Sequence, residues 1–237
     1  MSWLFSLPVP EADLLPAAER YQRQILHWGQ ERQQQLEAAT VLVAGVGGLG
    51  ATVSQLLTRA GIGKLYLVDD GLIDWPDLNR QLLYNEADIG QPKLKIAKQR
   101  LQQINSSVKI ELLQGRIDHS FRLPTDVSII ADCLDNYLSR FDLEAGLAAG
   151  AFLIHGGIEG DQGQVLTLQK GQSQSLSEIF AGTRQPPRDI PVTGAGVTII
   201  AGFMVNELFN TIFTQPQLLN RFLIIGLSDL HLTFLEV

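Results

Sequence analysis

The segment Gly45-Val46-Gly47-Gly48-Leu49-Gly50 is the first place in this chain where residue type and spacing suggest chemistry. In a strand-to-helix turn, Gly45 allows the tight bend, Gly47 lets the backbone approach a phosphate, and Gly50 lets helix and strand pack closely. The helix that follows offers free N–H groups and the positive end of its dipole to an anion. Asp69 lies nineteen residues after Gly50, at the end of the next apolar run. A carboxylate there accepts hydrogen bonds from a ribose. A glycine turn without a ligand is the weaker reading of the loop; for Asp69 alone, a solvated strand-end acid competes strongly.

Two cations follow. Arg80 sits in Asp77-Leu78-Asn79-Arg80-Gln81, and Lys93 comes directly after Pro92, which opens a predicted helix at its favoured first position. The helix dipole disfavours a cation in the first turn, and a bound anion would reverse that penalty. Taken singly, each is also readable as an ordinary surface charge.

The third group is Asp132-Cys133-Leu134-Asp135-Asn136, after the apolar run Val127–Ala131. Asp135 and Asn136 are candidate Mg²⁺ ligands, since that ion takes one or two carboxylates together with phosphate oxygens. The same residues serve equally well as a cap for the next helix, and the sequence leaves the two readings open. Cys133, the single cysteine, reads as a small apolar filler beside a buried strand rather than a nucleophile.

The elements that must position these groups alternate. Residues 16–39 read as helical with an interruption near Gly29, and Thr40–Ala44 as a central parallel strand. A helix ending at Gly61 and Gly63 and the strand Lys64–Val68 complete a βαβ unit. A helix with Leu94, Ala97, Leu101 and Ile104 on one face follows, then strands at Val108–Leu112 and Val127–Ala131, a helix at Ser139–Ala149 and a strand at Ala151–His155. Beyond these come a strand at Gln164–Leu168, an apolar helix at Val197–Phe213, and a closing hairpin of Phe222–Leu227 with His231–Val237. The fold class is therefore α/β: a doubly wound, mostly parallel, Rossmann-like sheet with an antiparallel C-terminal extension. The expected organisation is an N-terminal arm over 1–17 and one domain over 18–237. Within it, a Pro-containing loop at about 170–193 has at most a turn of helix.

Composition narrows the function classes. A net charge of −7 argues against nucleic acid or an anionic membrane as a partner. One cysteine excludes internal disulfides and Cys-rich zinc sites, and the four histidines lack metal-ligand spacing. No run of 18 apolar residues is present, and the start MSWLFSLPVPEADLL lacks a signal-peptide pattern. The expectation is a reducing cytoplasm.

Taken in order along the chain, these motifs resemble one family, the ThiF/MoeB/HesA group of ubiquitin-activating-enzyme-like adenylyltransferases. The resemblance is carried by Arg20-Tyr21-Gln22-Arg23-Gln24, Gly45–Gly50, Asp69, Asp77–Gln81, Gly90-Gln91-Pro92-Lys93 and Asp132–Asn136, and runs from about Ala18 to the C-terminus. The later Gly163-Gln164-Val165 and Gly194-Ala195-Gly196-Val197 also fit. It implies ATP as substrate, with Gly45, Gly47, Gly48, Gly50 and Asp69 at its phosphates and ribose. Asp77, Leu78, Asn79, Leu134 and Asn136 would complete the nucleotide site. Catalytic roles fall to Arg80, Lys93, Asp135 as the Mg²⁺ residue, and Arg23, which would reach the nucleotide of a second copy in a homodimer. The implied acceptor is a ubiquitin-like sulfur carrier ending in Gly-Gly, of the thiamine or molybdopterin type, whose carboxylate attacks the α-phosphate.

The chain departs from the family pattern at three points. Asp77 stands where an Asn is usual, Gly71 where a second acid is usual (Asp70 adjoins it), and both the paired CxxC motifs and the cysteine after the crossover loop are missing. The expected enzyme is therefore zinc-free. Competing readings are another acceptor, such as a modified tRNA or a peptide; a non-catalytic scaffold; and, last, a dinucleotide oxidoreductase, which leaves the later motifs unexplained.

Overall fold

In the first strand, β1 (Thr40–Ala44), alternate residues face opposite sides of one sheet: Val41 and Val43 enter one core, Leu42 and Ala44 the other. Being apolar on both faces is what a central parallel strand covered by helices on both sides demands. The computed structural model describes residues 16–183 and 189–237. Residues 1–15 of the predicted arm, and Pro186 and Pro187 of the long loop, lie outside the described residues; the arm's last two residues, 16 and 17, already belong to the first helix.

The chain runs α1 (Pro16–Ala38), β1, α2 (Gly48–Ala60), β2 (Lys64–Asp69), α3 (Lys93–Ile104), β3 (Lys109–Gln114), β4 (Ile129–Asp132), α4 (Tyr137–Ala145), β5 (Phe152–Glu159), β6 (Gln162–Gln169), the single turn α5 (Leu176–Ile179), α6 (Gly194–Ile212), β7 (Arg221–Gly226) and β8 (His231–Glu236). One eight-stranded sheet has the order β3-β2-β1-β4-β5-β6-β7-β8. Its first five strands in that order are parallel, and β6, β7 and β8 each pair antiparallel to the strand before. From β1 the chain winds outward to β2 and β3, and then returns to lay β4 against the other side of β1. The switch point lies between β1 and β4, where such sheets open a crevice at the strands' carboxyl ends.

Boundaries follow local chemistry. Gly29 breaks α1 with φ 87°, ψ 164°, and Gly61 closes α2 in the left-handed region. Tyr21 packs where a Gly61 side chain would otherwise sit and accepts a 2.8 Å hydrogen bond from Asn105. Several expected boundaries are displaced, α4 ending at Ala145 and β5 running on to Glu159 among them. Pro92 is the N-cap of α3 rather than its first helical residue, and α4 begins two residues earlier than expected because Asn136 caps it. Helix α6 has the length and hydropathy of a membrane span, which the absence of an uninterrupted apolar run concealed. It is a core helix here, burying Val197, Ile200, Ala201, Met204, Val205 and Leu208 in the larger of the two cores.

Candidate functional site

The crevice at the switch point is a cleft of about 850 Å³, within the range of small-molecule sites. Its floor is the glycine loop. Gly45, at φ +86°, turns the chain out of β1, and its N–H bonds Val68 O at 2.8 Å. Gly50 lies under that turn so closely that a Cβ would stand 1.8 Å from Gly45 O; only glycine permits the approach. Gly45, Gly47 and Gly48 line the cleft, whereas Gly50 does not. Its role is to let helix and loop meet.

Asp69 holds this loop in place. Its Oδ2 accepts from Val46 N and its Oδ1 from Gly71 N, both at 2.7 Å. Tyr84 adds a 2.8 Å hydrogen bond to Val46 O. Burial first, then the surrounding carboxylates, push that phenol far above its ordinary value, so it remains a donor.

Arg80 and Lys93 both line the cleft, and both are paired to Asp77. Lys93 Nζ stands 3.1 Å from Asp77 Oδ2, and Arg80 Nη2 stands 3.7 Å from Asp77 Oδ1. Asp77 also closes a capping box on the 3-10 turn Trp75–Asp77 and accepts from Gln81 Nε2 at 2.6 Å. Asn79 faces the cleft beside them. Leu78 instead packs against the apolar core and stays out of the lining.

Opposite, Leu134, Asp135 and Asn136 form the wall from β4. Asn136 is the helix cap: its Oδ1 accepts from Ser139 N at 2.9 Å. Asp135 is exposed, accepts only a 3.3 Å contact from Asn136, and has no cation paired to it among the described residues. Its hard carboxylate oxygens suit Mg²⁺. No group of three potential ligands occurs among the described residues, which is compatible with an ion held by one carboxylate plus phosphate oxygens. Cys133 is buried, and burial followed by the nearby Asp132 charge raises its thiol far above the usual range. Although it adjoins the cleft, a thiol held protonated in this way is a poor nucleophile.

Arg23 lies apart. It is exposed on α1 and takes no place in the lining of this chain's own cleft. Its neighbours in the motif are structural: Gln24 donates to Gln33 and to Ala60 O at 2.6 and 2.7 Å.

Sequence reasoning missed a buried cluster behind the wall. Parallel pairing sets Asp132 beside His155, and both are fully buried. His155 Nδ1 lies 2.7 Å from Asp132 Oδ2, Arg140 Nη1 lies 2.6 Å from the same nitrogen, and Gln164 Nε2 meets the far ring nitrogen at 3.0 Å. Burial, then Arg140, lowers the His155 pKa, keeping the ring neutral. Burial would raise the Asp132 pKa, but Arg140 and His155 outweigh it and hold the carboxylate ionised. Arg140 also donates to Leu134 O, while Asp132 Oδ1 accepts from Leu134 N at 3.1 Å. Arg116, Asp189 and the residues up to Val192 complete the cleft rim. A second cavity of about 220 Å³ continues from Asp135 and Arg140 over β5, β6 and β7, past Gly157, Gly163 and Ile224.

The profile of the ThiF family matches residues 21–237. The vegetative HesA protein of Trichormus variabilis is 34% identical over 206 residues, 84% of this chain and 78% of that one. A molybdopterin-synthase adenylyltransferase of Escherichia coli is 36% identical over 170 residues, 68% of each chain. Among solved structures, MccB of E. coli superposes with a TM-score of 0.80 at 20% identity, covering 92% of this chain and 70% of that one; at that identity the likeness speaks for the fold.

Proposed function

The chain belongs to the ThiF family and is an adenylyltransferase of that kind; we propose that it activates the C-terminal carboxylate of a ubiquitin-like sulfur-carrier protein with ATP. One observation carries the reading: a glycine loop, two cations and a free carboxylate converge on one cleft at the sheet's switch point. That cleft opens into a second cavity over the antiparallel strands, a route by which an extended tail ending in Gly-Gly reaches Asp135. Relatives named as sulfur-carrier adenylyltransferases support the choice of acceptor. One, from Bacillus subtilis, is named for ThiS and is 33% identical over 66% of this chain and 49% of its own length.

In the proposed step, a carboxylate oxygen of the acceptor attacks the α-phosphorus. A new P–O bond forms, the bond to the bridging oxygen breaks, and pyrophosphate leaves with the electron pair. No protein nucleophile is needed, in keeping with a buried Cys133. The work is positioning and electrostatics. The glycine-loop N–H groups and the N-terminus of α2 receive phosphate oxygens, and Arg80 and Lys93 offset the charge that grows on the departing pyrophosphate. Asp135 would hold Mg²⁺, which neutralises phosphate charge when bound. Arg23, exposed and outside its own cleft, would serve the nucleotide of a second copy in a homodimer. The cytoplasm is the proposed location.

The test is ATP–pyrophosphate exchange with and without a carrier ending in Gly-Gly. Carrier-dependent exchange is expected, reduced at least about a hundredfold by Arg80→Ala or Asp135→Ala, as when a preorganised charge is removed from a transition state. Wild-type turnover in either variant would refute the assigned roles. Clear ATP binding without exchange would refute the acceptor.

A further inference from the structure

We propose that Asp77 is an internal counter-ion that competes with the nucleotide's phosphates for Lys93 and Arg80, and so sets how tightly the cleft holds a polyphosphate. The inference rests on the nucleotide reading above and adds to it a determinant of affinity.

The side chain of Asp77 is only 13% exposed, yet it lies on the wall of the cleft. Both cations are turned towards it rather than outward. Lys93 Nζ is 3.1 Å from Oδ2 and is itself largely covered. Arg80 Nη2 is 3.7 Å from Oδ1, and its Nη1 donates to Pro76 O at 2.5 Å and to Asn79 Oδ1 at 3.0 Å. The pair of cations therefore presents a local charge nearer +1 than +2. An arriving polyphosphate must draw Lys93 and Arg80 from an existing partner, and afterwards sits beside a carboxylate that has lost its counter-ions. Both effects weaken binding.

The surroundings also show that the charge can be removed without dismantling the turn. Asp77 Oδ2 accepts from Asp74 N at 3.1 Å, and Oδ1 accepts from Gln81 Nε2 at 2.6 Å. The Gln81 Oε1 atom is buried and has no hydrogen-bond partner among the described residues. With Asn at position 77, the amide oxygen can keep the Asp74 N–H. The amide nitrogen can then donate to Gln81 Oε1 once that side chain turns over, which partners the oxygen while Nε2 takes the place it leaves.

The experiment is calorimetric titration of full-length wild type and Asp77→Asn with ATP and, separately, with uncharged adenosine. The expected result is roughly tenfold tighter ATP binding by the variant, the scale of one unit charge near a highly charged anion in a half-open cleft, with adenosine affinity unchanged. Unchanged or weaker ATP binding beside unchanged adenosine binding would overturn the proposal. Equal weakening for both would make Asp77 a structural cap and overturn it too. If Asp77→Asn lacks a cooperative melting transition, Asp77→Ser, which keeps an acceptor near Asp74 N, carries the same comparison. Binding needs no acceptor, so failure of carrier-dependent exchange leaves this test intact. Failure of wild type and variant alike to bind either compound removes the nucleotide reading and this inference with it.

Discussion

Replacing Arg140 with Met keeps the aliphatic stem and removes the guanidinium that stands next to Asp132, which is fully buried. Three interactions go: the 3.5 Å ion pair with Asp132 Oδ2, the contacts to the His155 ring, and the donation to Leu134 O. Breaking a buried pair by deleting one member costs about 3–5 kcal/mol, because the remaining charge is left uncompensated. We expect Arg140→Met to lose about 4 kcal/mol at pH 8 in urea unfolding. The pH dependence then identifies the cause. In the wild type, burial and Arg140 depress the folded pKa of His155 below its ordinary 6.5. Lowering the pH through 6.5 therefore costs stability until the folded pKa is passed. In the variant the lowering by Arg140 is gone while that by burial stays, so the folded Asp132–His155 pair takes up a proton more readily than it does in the wild type. A folded pKa less depressed than the wild type's loses less stability as pH falls below about 6.5. The deficit relative to wild type must therefore shrink on going from pH 8 to pH 6, by at most about 1.4 kcal/mol per pH unit. Adding Asp132→Asn to Arg140→Met should recover part of the loss. A deficit under about 1.5 kcal/mol, one that grows as pH falls, or a double variant worse than the sum of the two singles would refute the reasoning.

Two further outcomes are expected. Glu207 is 2% exposed and accepts from Gln217 N, Leu218 N at 2.7 Å and Thr167 Oγ1 at 3.0 Å; Glu207→Ala orphans those donors and should cost roughly 3 kcal/mol in thermal or urea melts, with the ATP affinity of the surviving folded fraction unchanged. Cys133→Ala should leave carrier-dependent exchange within about twofold of wild type, because the buried thiol has little thiolate character; a loss of more than about tenfold would give that sulfur a role in turnover.

The parts of the fold that were legible in sequence are those whose causes are local. Thr40–Ala44, the glycine turn, Gly61 and the break at Gly29 carry their own punctuation, and each stands where the residues put it. The same holds for the cations: Arg80 and Lys93 were marked by motif and by an unfavourable helix position, and both reach the cleft. What sequence could not give was direction. Leu78 and Gly50 share the motifs of cleft residues yet point elsewhere, one into the core and the other under Gly45. That Asn136 caps α4 shows only in a single hydrogen bond from Ser139 N. The Asp132–His155–Arg140 cluster joins residues from two strands and the helix between them, and only the register of β4 on β5 brings them together. One signal was available: a histidine inside the apolar run Ala151–His155, next to a strand in the same sheet that ends in Asp.

That cluster gives the two sides of the cleft different mechanical characters. The peptide of Leu134 is held at both its polar groups, its N–H by Asp132 and its carbonyl by Arg140. Cys133 N is tied to Ala44 O at 3.0 Å, and Asn136 is committed to α4. Asp135 is thus an exposed carboxylate on backbone fixed from both sides, as a group that must meet an ion and a reacting phosphate within a fraction of an ångström requires. Across the cleft, Lys93 is held by the Asp77 carboxylate, and Arg80 by that carboxylate together with Pro76 O and Asn79 Oδ1; both side chains can leave these partners for a phosphate. A fixed anion facing exchangeable cations lets charge be rearranged while the reacting centre stays in register. Loosening Leu134 should therefore impair turnover more than nucleotide affinity, whereas altering Asp77 should do the reverse. Opposite assignments for Arg140→Met and Asp77→Asn would mean that the wall, and not the cations, governs binding.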